Sequence, residues 1–163
     1  MVHPFWLKVR LVGTASNRSA IGAQVWVEAL IQGHRVQQIR HIQSAVQSAA
    51  GLSGLDAHFG LGDASRIGKL TVEWPSGTKE EFRDLPVKQS LTIVEPSLRG
   101  AMQPNGEFAL SVWASTHRSC MIEHSPDLVT WTVLTQVQGA GETPVTVTDP
   151  DAPDQIQRFY RMK

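Results

Sequence analysis

Hydrophobic and polar positions alternate along most of this chain with a period of two, the repeat of a strand whose side chains point in turn to opposite faces. In "FWLKVRLV" (residues 5–12) Phe5, Leu7, Val9 and Leu11 share one face and Trp6, Lys8 and Arg10 the other. "AQVWVEAL" (residues 23–30) repeats the pattern, with Ala23, Val25, Val27 and Ala29 in one phase and Gln24, Trp26 and Glu28 in the opposite one. Further strands are predicted from Arg35 to Ile42, from Lys69 to Trp74, and in "KEEF" and "KQSLTIVE" beyond the turn "PSGT" (residues 75–78). In that turn proline presets φ and glycine accepts a positive value.

Two stretches break the alternation. From Ala45 to Ser65 the chain is rich in Ala, Ser and Gly without a clean period. It is predicted mostly as loop, with room for a short helix near residues 44–50. Inside it "DAHFGLGD" (residues 56–63) is predicted to be a turn, with Gly60 and Gly62 letting the chain reverse and Phe59 and Leu61 plugging the sheet edge. The second stretch, "EPSLRGAMQPNGE" (residues 95–107), carries two prolines and two glycines and is predicted as a linker. Strand patterns then resume in "EFALSVW", "SCMIEH", "TWTVLTQV", "PVTVTD" and "IQRFYRM". The expectation is an all-β chain of two small antiparallel β units, sandwich-like or barrel-like, joined by a Pro/Gly-containing linker. The first unit is placed at residues 1–97, the linker at 98–106 and the second unit at 107–163.

Composition narrows the partners. Lys plus Arg and Asp plus Glu are 15 each, so no global field steers the chain to nucleic acid or an anionic membrane. No segment approaches the roughly 18 apolar residues of a membrane-spanning helix, and strand-like sequence follows Met1 directly, without a charged and then apolar leader. The single cysteine, Cys120, excludes an intramolecular disulfide and a cysteine-rich zinc site, and is expected to be a buried apolar thiol.

Catalytic signatures are missing. There is no G-x-S-x-G, H-E-x-x-H, P-loop or dinucleotide fingerprint. Paired carboxylates for glycoside hydrolysis depend on spatial separation, and Glu28, Glu73 and Glu81 all fall in outward strand phase. Catalytic residues are therefore not assigned. An unrecognised metal-dependent or glycan-active enzyme remains an alternative.

Asp56, His58 and Asp63 are the main candidate metal set. Their hard ligands and flanking glycines would suit Ca2+, although the spacing is not that of a dedicated calcium loop. The competing reading is a framework turn with no cofactor. Met1-Val2-His3 is a weaker candidate for an amino-terminal copper or nickel site. In "SNR" (residues 16–18) Asn17 and Arg18 are candidates for a carboxylated or hydroxylated ligand, set against a structural role in the loop.

The tryptophans carry the main functional signal. Of five, Trp74 is in core phase and Trp131 is expected to anchor the core of the second unit. Trp6, Trp26 and Trp113 are out of core phase. If the strands bearing Trp6 and Trp26 were neighbours, two indoles flanked by Arg10, Gln24 and Glu28 would form a platform for a polysaccharide. Alternatively these tryptophans pack against another protein domain.

Four blocks, "WLKVRLVG…SNRSAIGAQVWV", "HFGLGD", "LTVEWPSGT" and "LTIVEP", resemble in order and spacing the ASPIC/UnbV domain over about residues 5–96. The resemblance implies a non-catalytic β-rich module of secreted or cell-surface proteins, often placed after FG-GAP or VCBS propeller repeats, so a β-propeller domain is an implied partner. Where relatives have a glycine-aromatic-serine segment this chain has "SAVQSAAGLSGLDA". "MIEHSPDLVTW" and "RFYRM" resemble the short β-domain that ends many secreted bacterial proteins, over about residues 107–163. Polysaccharide or cell-surface glycan is the leading expected ligand.

Overall fold

The alternation in residues 5–12 becomes strand β1 (Phe5–Val12), with Leu7, Val9 and Leu11 buried and Trp6 and Arg10 exposed. The computed structural model describes residues 5–44 and 55–163. These fall into two compact units, Met1–Ile93 and Val94–Lys163. The expected short helix, the "SAVQSAAGLSGLDA" segment up to residue 54 and the Met1-Val2-His3 site lie outside the described residues.

The first unit contains β1, β2 (Gln24–Ile31), β3 (His34–His41), β4 (Asp56–Gly62), β5 (Arg66–Glu73), β6 (Lys79–Pro86) and β7 (Gln89–Val94), the last reaching one residue past its boundary. They form a three-stranded sheet, β4-β1-β7, and a four-stranded sheet, β3-β2-β5-β6. Both sheets direct apolar residues into one core. Leu7, Val9, Phe59, Leu61 and Ile93 come from the first, and Val25, Val27, Ile67, Leu70 and Val72 from the second. The arrangement is sandwich-like, without a closed barrel. Trp74 is buried as its phase predicted, and its indole N–H donates to Glu80 Oε2 at 3.0 Å, which supplies a partner for that buried carboxylate.

The predicted turn in "DAHFGLGD" is instead strand β4, paired antiparallel with β1. Ala57, Phe59 and Leu61 are buried, while His58, Gly60 and Gly62 take the outward positions. Gly60 merely leaves one face of an extended strand without a side chain, whereas Gly62, at the end of the strand, takes the left-handed conformation (φ 55°) that glycine readily adopts. As an edge strand β4 has outward carbonyls, and side chains from β3 reach them. Gln38 Nε2 donates to the Gly60 carbonyl at 2.7 Å and Arg40 Nε to that of His58 at 2.9 Å.

The hairpin between β2 and β3 turns through Gln32 (φ 50°) and Gly33 (φ 75°), both left-handed, as a two-residue type I′ turn requires. Gln32 has no glycine-like freedom there, and Asp63 Oδ1 accepts its backbone N–H at 2.8 Å.

The second unit contains β8 (Ser97–Met102), β9 (Phe108–Trp113), β10 (Ser119–Ser125), β11 (Thr132–Gln138), β12 (Val145–Asp149), one 3-10 turn (Ala152–Asp154) and β13 (Phe159–Met162). Its sheets are β12-β9-β8 and β11-β10-β13. Strand β8 occupies much of the segment expected to be a linker. Its prolines, Pro96 and Pro104, flank the strand, and β8 sits at a sheet edge where little apolar sequence is needed.

Leu110, Val112, Ala114, Cys120 and Ile122 form the buried core of this unit. Cys120 is the buried free thiol expected. Trp131 is not in that core. Its indole donates to the Leu128 carbonyl at 3.2 Å and the Arg161 guanidinium lies 3.9 Å over its ring. No helix among the described residues is long and apolar enough to cross a membrane.

Candidate functional site

The register of the four-stranded sheet arranges its outer face in three rows. Gln37, Glu28, Lys69 and Arg83 lie side by side on β3, β2, β5 and β6. The next row is Ile39, Trp26, Thr71 and Glu81, and the third is His41, Gln24, Glu73 and Lys79. Residues opposite one another across strands stand within reach of each other's side chains. Lys69 Nζ pairs with Glu28 at 2.7 Å, Lys79 with Glu73 at 3.3 Å, and Arg83 with Glu81.

Two hollows open on this face. One, of about 240 Å³, is lined by Trp26, Gln37, Lys69, Thr71, Glu73 and Lys79. The other, of about 440 Å³, is lined by Glu28, Ala29, Leu30, Arg35, Gly68, Lys69 and Arg83. A β-bulge shapes the larger one. Glu28 pairs with Lys69 and Ala29 with Ile67, so Gly68 is the extra residue on β5 and contributes no side chain to the hollow's wall. The Lys69 hydrogen bond holds the Glu28 carboxyl below its ordinary range, and the fields of Arg35 and Arg83 act in the same direction.

The structure separates the six ligand-binding residues expected from sequence. Gln24, Trp26 and Glu28 share the outer face of the four-stranded sheet. Trp6 and Arg10 lie on β1, in the other sheet, with the core between. The two-indole platform is therefore not formed. Phase along each strand was read correctly, but a face also depends on which strands pair, and β1 pairs with β4 and β7 rather than β2. Trp6 is 43% exposed and faces Gly60 across the strand pair. Trp113 belongs to the second unit, where the Arg99 guanidinium lies 5.4 Å over its ring.

The proposed metal set does not assemble either. Asp56 and Asp63 stand at opposite ends of β4, and seven steps along a strand separate them by roughly 20 Å. Asp56 forms an ion pair with Lys8 at 2.7 Å, and Asp63 holds Gln32. Among the described residues no three His, Cys, Asp or Glu side chains gather to hold an ion. In "SNR", the Asn17 amide closes its own loop, accepting from Ile21 N and donating to the Ile21 carbonyl, each at 2.9 Å. Ser16 Oγ accepts the Ser76 N–H at 3.1 Å.

Arg35, Gln37, Lys69, Thr71 and Arg83 were not singled out from sequence. Their signal was present, since each falls in outward phase on its strand. What was missing was the register that sets them beside Glu28 and Trp26.

The family model described as "ASPIC and UnbV" matches residues 13–99, more than half of the chain. No curated protein matches the sequence. One solved structure, titled "Cytokine receptor complex - Crystal form 2", aligns over 96% of this chain and 86% of its own at 13% identity, with a TM-score of 0.31 that is too low to bear on fold or function.

Proposed function

We propose, for a chain that belongs to the ASPIC and UnbV family, a non-catalytic binding role in a secreted or cell-surface setting, with a polysaccharide or cell-surface glycan lying on the outer face of the four-stranded sheet. The observation that carries this reading is Trp26 in the smaller hollow, flanked by Gln37, Thr71, Lys69 and Glu73. An indole offers a flat apolar face to sugar C–H groups, and the surrounding amide, hydroxyl and charged groups offer hydrogen bonds to sugar hydroxyls. A site on rigid paired strands also loses little conformational freedom on binding.

Retention on a panel of soluble and insoluble polysaccharides tests it. Trp26→Ala is expected to weaken retention roughly tenfold or more, whereas Trp6→Ala, on the opposite face, leaves it unchanged. The reading is wrong if no polysaccharide retains the wild type, or if Trp26→Ala binds as well as wild type.

A second reading is a module that packs against a β-propeller domain of a larger protein, supported by the exposure of Trp6 beside Lys8 and Arg10 on the three-stranded sheet. The two readings use different faces and are compatible.

A further inference from the structure

Resting on the glycan reading, we infer that the ligand is an anionic polysaccharide, whose oxyanion groups are held in the larger hollow while a neighbouring sugar ring lies on Trp26. The larger hollow places three cations, Arg35, Lys69 and Arg83, around one carboxylate, Glu28. Lys69 is taken by Glu28 on the adjoining strand, and Arg83 by Glu81 on its own strand. Arg35 has no ion pair among the described residues, and it stands opposite Leu30, which is 63% exposed and offers it no acceptor.

A guanidinium with no ion pair among the described residues, beside an open hollow, presents a planar fork of donors matched to a carboxylate or sulfate. The chain's net charge is zero, so any preference for anions must come from a local arrangement such as this one rather than from a general field.

The spacing also fits a polymer. Lys69 lines both hollows. Trp26 and Glu28 are two residues apart on one strand, about 7 Å, which is comparable with the length of one pyranose unit. A chain running along β2 would thus set one ring on the indole and the substituent of the next in the larger hollow at the row of Glu28 and Lys69, with Arg35 one row further along, opposite Leu30. Gly68 keeps that position open, because any other residue in the bulge would add a side chain to the lining.

The test compares retention of the full chain on a neutral glucan, a polyuronate and a sulfated polysaccharide, each at low and high salt. The uronate and sulfate arms distinguish the two sources of the oxyanion. The expected result is preference for one or both anionic polymers, weakened by salt, with Arg35→Gln and Arg83→Gln each lowering affinity for them roughly five- to tenfold. Arg10→Gln, which removes the same charge from the opposite face, leaves that affinity unchanged. Equal retention on neutral glucan with no effect of Arg35→Gln overturns the anionic assignment and leaves the Trp26 reading standing. An equal loss in Arg10→Gln also overturns it, by showing attraction to charge in general. Retention on no polymer overturns both.

Discussion

The two units reach stability by different means. In the first, a core of aliphatic and aromatic side chains from six of the seven strands fills the space between two sheets, and ionic pairs stay on the outside. In the second, only five residues form the fully buried cluster, and charged groups are drawn inward to complete it. Asp149 is wholly buried. It accepts the Tyr160 hydroxyl at 2.8 Å, and Arg158 Nε stands 2.7 Å away with its N–H not directed at the carboxylate, so that contact is one of charge. Burial and the Asp149 hydrogen bond push the Tyr160 hydroxyl well above its ordinary pKa. Glu123 is gripped by Arg161 at 2.6 Å and Lys163 at 3.1 Å, while Tyr160 stacks on Phe108 with ring centroids 5.1 Å apart. A small unit buries too little apolar surface for packing alone to suffice, and here the final strand closes it through polar anchors.

The contrast breaks most readily at Phe59. Phe59→Ala is expected to cost roughly 3–5 kcal/mol, measured as a shift in denaturant midpoint that is insensitive to salt. A much smaller loss would mean that the first unit does not depend on its apolar core as described. Next, Tyr160→Phe removes one hydroxyl, leaves the stacked ring, and deprives buried Asp149 of a donor, at an expected cost of about 1–3 kcal/mol. If the variant is as stable as wild type, the polar closure of the second unit is incidental.

The third effect is one of pH and carries the sign of a depressed carboxyl. Arg161, and then Lys163, hold Glu123 below its ordinary value of 4.5. Backbone N–H groups of Thr130 and Val129 do the same for Asp127. Such groups stabilise the fold at pH above their unfolded values, and that contribution is lost as acid protonates them. Peptide-resolved hydrogen exchange, corrected for intrinsic rates, should therefore show β10 and β13 losing protection below pH about 4.5 before β1 and β4 do. Simultaneous loss would contradict the contrast.

Much of this was legible in the chain, and the misses share a cause. The period of two located β1 and β2 and set Gln24, Trp26 and Glu28 outward, because a half-buried strand writes its faces directly into its sequence. It did not reveal pairing, so Trp6 and Trp26 were grouped across a core that separates them. Composition misled in the same way at two places. Gly60 marked a turn only under the assumption that glycine bends the chain, which Gly62 does only at the end of the strand, and Pro96, Gly100 and Pro104 marked a linker only under the assumption that such residues cannot frame an edge strand. Arg35, Lys69 and Arg83 come from three strands, and only the register set by hairpins and the Gly68 bulge brings them together. Phase can be read from one segment, whereas adjacency is a property of several at once.

One detail of the fold bears on how these molecules behave toward one another. An uncapped strand edge is a template onto which a second chain can add its own strand, the first step toward aggregates. In β4 two outward carbonyls are already engaged by Gln38 and Arg40. The same two side chains that tie β3 to β4 thus act as a guard against self-association, and their loss would show first in colloidal behaviour at high concentration rather than in ligand binding.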